Sequence, residues 1–224
     1  MTVTLPEMTR LPGGKTWIGG SPDDKYANAG EPSGSWVRGP EAFEMSRFPV
    51  TVGDWHQYEA NRFLSMDPKL PAHGISWNEA MGFVNWLRET SGEKGWDLPT
   101  ELEWEHAARA GTNTVFPGGD VLETDDANFL FNESIERIGP GCLTPVDHFP
   151  PSSFGLFDLL GNVCEWTLGK GPRPGERKIR GGAWDYLPRL LRCSWSDSVV
   201  ETSCRENIGF RLVRRPGITP DRQW

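Results

Sequence analysis

Three hydroxyl residues, each followed three positions later by a carboxylate, constrain this chain most: Thr51 with Asp54, Ser76 with Glu79 and Thr100 with Glu103. In the second and third pairs the spacing is a capping box, in which side chain and backbone satisfy each other at a helix N-terminus. After Ser76, Ala80, Phe83, Val84 and Leu87 recur at i, i+3, i+4 and i+7, one apolar helical face. Gly92 and Gly111 stand where those helices would stop. The first segment, "VGDWHQYEANRF", carries sparser apolar positions: Val52, Trp55 and Phe63. Beyond Gly111 the periodicity lapses, and residues 112–175 carry turn signals instead. The opening reads as strands joined by a long loop, and "FEMSRFPVT" as a strand ending at Pro49. "RKIRGGAW" and "NIGFRLVRR" read as two further short strands. The expected class is α+β: a small mixed sheet, two or three helices and much ordered loop. Ordered loops on a rigid frame are where binding sites concentrate.

Composition agrees. Gly 26, Pro 19 and Trp 11 in 224 residues suit a loop-rich domain anchored by large aromatics. That length suits one domain over 1–224, with a core of about 9–215, burying roughly 70% of its unfolded surface without disulfides. A net charge of −8 with no basic run argues against nucleic acid as partner. No apolar stretch approaches the ~20 residues of a membrane span. The N-terminus lacks the pattern of a signal peptide, so the expected location is the cytoplasm. His56, His73, His106 and His148 include no i, i+4 pair, and no CxxC occurs, so no zinc or iron motif is visible.

Two stretches carry chemistry. In "FGLFDLLGNVCEWT", Asp158 and Glu165 flank a turn at Gly161 and Asn162. Carboxylates and carbonyls so placed suit a hard cation such as calcium. The same residues also suit a turn whose carboxylates cap backbone or pair with arginines such as Arg192 and Arg211. In "RGGAWDYLPRLLRCSWSDSVVETSCRENIGFRLVR", Cys193 and Cys204 suit either reactive thiols or small buried apolar side chains.

Seven segments, "PVTVGDW", "GISWNEAMGFVNWL", "LPTELEWEHAARAG", "DANF", "PVDHFPPSSFGLFDLLGNVCEWT", "IRGGAW" and "NIGFRLV", occur in the order seen in the formylglycine-generating enzyme family. The chain resembles that family from about residue 9 to residue 215. The resemblance implies a variant of the C-type-lectin fold and structural calcium. The implied ligands are the side chains of Asp158 and Glu165 and the carbonyls of Gly161 and Val163. A second implied site uses Asn128 and the carbonyl of Phe129; its other ligands have no counterpart in "ESIERIGPG". Copper enzymes of the family hold Cu(I) on two cysteines just after an "RGGS" turn, to oxidise a sulfatase cysteine. Here that segment holds Asp185, Tyr186, Leu187 and Pro188, so no copper is expected. A histidine-iron branch and a periplasmic branch similar to pyoverdine-maturation proteins match less well.

A binding branch, the variable proteins of diversity-generating retroelements, resembles this chain in the same C-terminal stretch. The expected function is therefore a calcium-stabilised domain binding a protein or small molecule, extending to a retroelement variable protein. Its expected ligand surface comprises Asp185, Tyr186, Arg189, Trp195, Ser196, Asp197, Ser198 and Thr202: aromatic anchors, charge and adaptable hydroxyls. Leu190 and Leu191 are expected in the core. The alternative is an oxidoreductase on the same scaffold, acting on a peptide or small molecule, with Cys193 and Cys204 as its thiol candidates if the fold brings their sulfurs together.

Overall fold

The computed structural model describes residues 3–22, 24–27 and 33–217. The chain runs through β1 (Met8–Leu11), β2 (Lys15–Ile18), β3 (Ser35–Arg38) and β4 (Phe43–Ser46). Helices α1 (Val52–Tyr58) and α2 (Trp77–Ser91) follow, then β5 (Trp96–Asp97) and α3 (Glu101–Arg109). The last part holds β6 (Cys164–Lys170), β7 (Glu176–Arg180), a 3-10 turn (Pro188–Leu190), β8 (Ser196–Val200), β9 (Ile208–Gly209) and β10 (Val213–Arg214). Part of the long loop expected near the start, residues 28–32, lies outside the described residues.

The helices start where the hydroxyl–carboxylate spacing places them. Thr51, Ser76 and Thr100 each cap with the side-chain oxygen, and Asp54, Glu79 and Glu103 return the bond to the cap N–H. α2 buries Ala80, Phe83, Val84 and Leu87 and ends at Gly92, which is left-handed at φ 72°. α3 ends one residue earlier than the glycine suggests: Ala110 takes the left-handed cap at φ 47°. α1 stops at Tyr58, short of the full "VGDWHQYEANRF" segment.

The strands correct the expectation of one small sheet. Among the described residues two four-stranded sheets form, ordered β1-β4-β10-β5 and β8-β7-β6-β9, with β2 and β3 as a separate hairpin. Only the second is mixed: β9 runs parallel to β6. β6 lies inside the stretch expected to be irregular. It sits centrally, and its first four residues, Cys164 to Thr167, are all buried. A strand covered on both faces shows no apolar–polar alternation.

Two apolar clusters fill the interior. One gathers Trp55, Phe83, Trp96, Trp166 and Phe210 around α1, α2 and β6; the other gathers Phe43, Met45, Trp104, Phe116 and Leu191 around α3. Trp55, Trp96, Trp104 and Trp166 are fully buried. At ~150–250 Å² each, burial of one such ring contributes about 4–6 kcal/mol before entropy is counted. These anchors hold the loops that follow β7.

Candidate functional site

The stretch after β7 begins with two glycines where a larger residue would be strained and crowded. Gly181 and Gly182 have φ of 88° and 71°. A Cβ on Gly181 would lie 2.8 Å from the Leu159 carbonyl, and one on Gly182 2.7 Å from Leu191 Cδ1. The turn is tied inward by Trp184 N–H to the Asn162 carbonyl and closes with Tyr186 N–H to the Ala183 carbonyl. The chain passes over the Pro188–Leu190 turn, bonds Cys193 N–H to the Val115 carbonyl, and enters β8.

Buried ion pairs fix this path. Arg180 Nη2 donates to Glu105 Oε2 and to the Cys193 carbonyl, both at 2.7 Å. Arg192 pairs with Asp24, both almost fully buried. Arg192 therefore takes Asp24, and Glu165 goes to Arg211 alone among the two arginines anticipated for it.

The fold brings part of the expected ligand surface together. Tyr186 and Trp195, both half-buried, meet edge to face with ring centroids 5.7 Å apart at 89°. Both pack against the α2-side core. Asp185 sits beside them, its two oxygens accepting from Asn207 Nδ2 at 3.0 and 3.1 Å. Asp197 stands exposed on β8, one Oδ taking the Ser198 N–H at 2.7 Å. Ser196 and Ser198 share that edge strand, and Thr202 is exposed beyond it. Arg189 is engaged elsewhere: its backbone N–H and Nη1 both reach the Glu133 carboxylate, at 3.0 and 2.9 Å. Leu191 is core, whereas Leu190 is only half-buried.

The thiols divide between core and surface. Cys193 is fully buried, and burial pushes its thiol up to about 12. Cys164 is buried and likewise pushed up, by burial first, despite a contact with the Tyr186 hydroxyl. Cys204 is exposed, its sulfur 3.5 Å from Glu79 Oε2, and all four cysteines are free. With one thiol in the core and one on the surface, the fold does not bring the Cys193 and Cys204 sulfurs together.

The calcium residues divide. Asp158 is buried, with Oδ2 accepting from Asn162 Nδ2 at 2.8 Å and Oδ1 without a hydrogen-bond partner. Burial pushes its carboxyl up to about 7. Asn128, wholly buried, has three acceptors within reach of its two Nδ2–H groups, the Cys142 carbonyl, Thr144 Oγ1 and Asn162 Oδ1, while its Oδ1 also has no partner. Buried oxygens left without donors fit a cation; ordinarily such groups are satisfied. Gly161, at φ 73°, turns the backbone beside them, and a Cβ there would lie 2.2 Å from the Asn128 carbonyl. Val163 and Phe129 are buried. Glu165 fits less well. Arg211 Nε and Nη2 bind both its oxygens at 2.7 to 2.9 Å, and Trp104 Nε1 donates to Oε2 at 2.7 Å. The pair-with-arginine alternative is what Glu165 adopts. Among the described residues no group of three or more His, Cys, Asp or Glu stands ready for a metal. No helix among them is long and apolar enough to cross a membrane.

Several contributors escaped the sequence reading: Asn207, Glu133, Glu105 and Asp24. Two of them carried a signal: Asn207 as the first residue of "NIGFRLV" and Glu105 inside "LPTELEWEHAARAG".

Comparison with known proteins agrees with this geometry. Residues 1–216 match the model of the sulfatase-modifying factor enzyme 1-like domain. The formylglycine-generating enzyme of Bos taurus is 30% identical over 193 residues, 74% of this chain and 50% of the relative, so the chain spans about half of that protein. The structure of PvdO from Pseudomonas aeruginosa superposes with a TM-score of 0.81 at 24% identity, covering 93% of this chain and 94% of that one. Treponema denticola variable protein 1 superposes with a TM-score of 0.79 at 19% identity, covering 93% and 95%. The three helices and the sheets are thus those of a formylglycine-generating-enzyme-like fold, and the chain belongs to the sulfatase-modifying factor enzyme family.

Proposed function

We propose that this chain is a ligand-binding domain, with calcium as a structural ion and no copper centre. The observation that carries the reading is the Tyr186–Trp195 corner. It stands where the family's copper cysteines would follow the glycine turn, and presents rigid aromatic rings flanked by Asp185 and Asp197. Tyrosine and tryptophan offer contact area at low entropic cost. The buried ion pairs of Arg180 and Arg192 pre-organise the loop that displays them. The partner is a protein, peptide or small molecule, and the location in keeping with the sequence is the cytoplasm. Likeness in fold to a variable protein supports the same stretch as the ligand face. A near-copy of the 180–211 coding region beside a reverse transcriptase gene would identify it as diversified.

Calcium, when bound, supplies charge to the oxygens that lack donors. At the first site Asp158 would hold it through its side chain and Gly161 and Val163 through carbonyls, with Glu165 acting through its ion pair with Arg211; at the second, Asn128 would hold it through its side chain and Phe129 through its carbonyl.

The test is selection of peptides from a displayed random library. Enriched peptides should lose binding to Tyr186→Ser, while Lys94→Ser leaves it intact. Peptides indifferent to Tyr186→Ser would overturn the assignment of the surface. The oxidoreductase alternative predicts copper- or iron-dependent oxygen uptake with a thiol peptide; uptake above that of free metal would replace the binding reading.

A further inference from the structure

The chemistry of the same corner points to the class of ligand, an inference that rests on the binding reading above. Tyr186 presents its ring against Trp195 nearly perpendicular, so one ring offers an edge and the other a face. The carboxylate of Asp185 is held by a neutral amide, Asn207 Nδ2, and that of Asp197 by a backbone N–H. Neither makes an ion pair among the described residues, whereas the nearby Glu201 is paired with Arg177. Both carboxylates are near enough to the Tyr186 hydroxyl to raise it further, after burial and the Cys164 thiol. Two carboxylates and two aromatic rings thus converge, and among the described residues no cation pairs with either carboxylate.

We propose that the Tyr186–Trp195 corner receives a cationic side chain, an arginine or lysine, from a protein or peptide partner. A cation over an aromatic face gains about 0.5–2 kcal/mol, more as it is desolvated. The flanking carboxylates add attraction and reject acidic partners. The fold already contains such a contact nearby: the Arg177 guanidinium lies 3.9 Å from the centroid of Trp77. Arg177 pairs across the sheet with Val199, two residues from Asp197. Recognition by side chain also suits the edge position of β8 in its sheet. The Asp197 oxygen on the Ser198 N–H occupies a group that an added strand would need.

Three otherwise identical hexapeptides test this, with arginine, citrulline or glutamate at the centre, titrated into the isotope-labelled full chain by NMR. The arginine peptide should shift the Trp195 indole N–H and weaken with added salt. Asp185→Asn and Asp197→Asn, which keep shape and one accepting oxygen, should each weaken it about 2- to 5-fold. Citrulline should bind more weakly and glutamate not at all. Equal binding of all three at Trp195 would overturn the cationic class and leave the surface standing. Arginine binding that moves other residues and ignores both variants would overturn the surface itself. An absence of shifts with every peptide would overturn both.

Discussion

Arg211 grips Glu165 in the floor of the fold, its Nη2 2.7 Å from Oε1 and its Nε 2.7 Å from Oε2, with both side chains wholly buried. Nη2 also reaches the Phe157 carbonyl at 2.7 Å and the Asp158 carbonyl at 3.1 Å. One guanidinium therefore ties β6 to the turn that carries Asp158. Removing either partner leaves a buried charge without its counterpart, at a cost of about 3–5 kcal/mol. Arg211→Met should fall by that amount in urea denaturation. Adding Glu165→Gln to it should recover part of the loss, because no bare charge remains. A double variant as unstable as the sum of the two singles would show that the residues act independently.

Calcium separates Glu165 from Asp158. Because Glu165 serves Arg211, Glu165→Gln should lower the melting temperature with calcium and with chelator alike. Asp158→Asn should lose only what calcium adds, since its Oδ1 has no other partner. Differential scanning fluorimetry of wild type and both variants, in calcium and in chelator, measures this. A calcium-induced rise that survives in Asp158→Asn would remove that residue from the site.

Glu79 gives an acid-side signature. Burial alone would raise its carboxyl, but the hydrogen bonds from Arg62 and from the hydroxyl and N–H of Ser76 overcome it and hold it down at about 2. The folded value lies below the ordinary 4.5, so the folded state binds this proton less readily than the unfolded chain. Its stabilisation is present above pH 4.5 and disappears as pH falls through about 2. The side chain is 37% exposed, so screening keeps the effect below about 1 kcal/mol. Wild type should lose stability more steeply than Glu79→Gln over that interval in acid titrations followed by circular dichroism. Parallel limbs would deny Glu79 the role.

What the sequence disclosed followed range along the chain. The capping boxes at Ser76 and Thr100 and the α2 face were legible because their partners lie within a few residues. Glu165 with Arg211 was legible through chemistry, since a carboxylate in an apolar segment requires a cation. β6 was not, because a strand buried on both faces has no alternation to read. Nor were Arg189 with Glu133 and Arg192 with Asp24, which join residues 56 and 168 positions apart through loops without periodicity. The ligand surface was half legible: composition marked Tyr186 and Trp195 as anchors, but only the turn at Gly181 and Gly182 brings them together.

That turn yields the last prediction. Gly182 and Gly175 both have positive φ, 71° and 77°, so alanine strains either backbone alike. They differ in space. A Cβ at Gly175 meets nothing within 4 Å, while one at Gly182 meets Leu191 Cδ1 at 2.7 Å and the Leu190 carbonyl at 2.8 Å. Gly175→Ala should therefore cost about 1 kcal/mol, and Gly182→Ala about 1–3 kcal/mol more as the loop shifts off Leu191. The shift should also separate Tyr186 from Trp195, so Gly182→Ala should lose the arginine peptide while Gly175→Ala keeps it. Denaturation and the NMR titration read the two effects separately. Gly182→Ala with full binding would show that the aromatic corner holds its form without the turn.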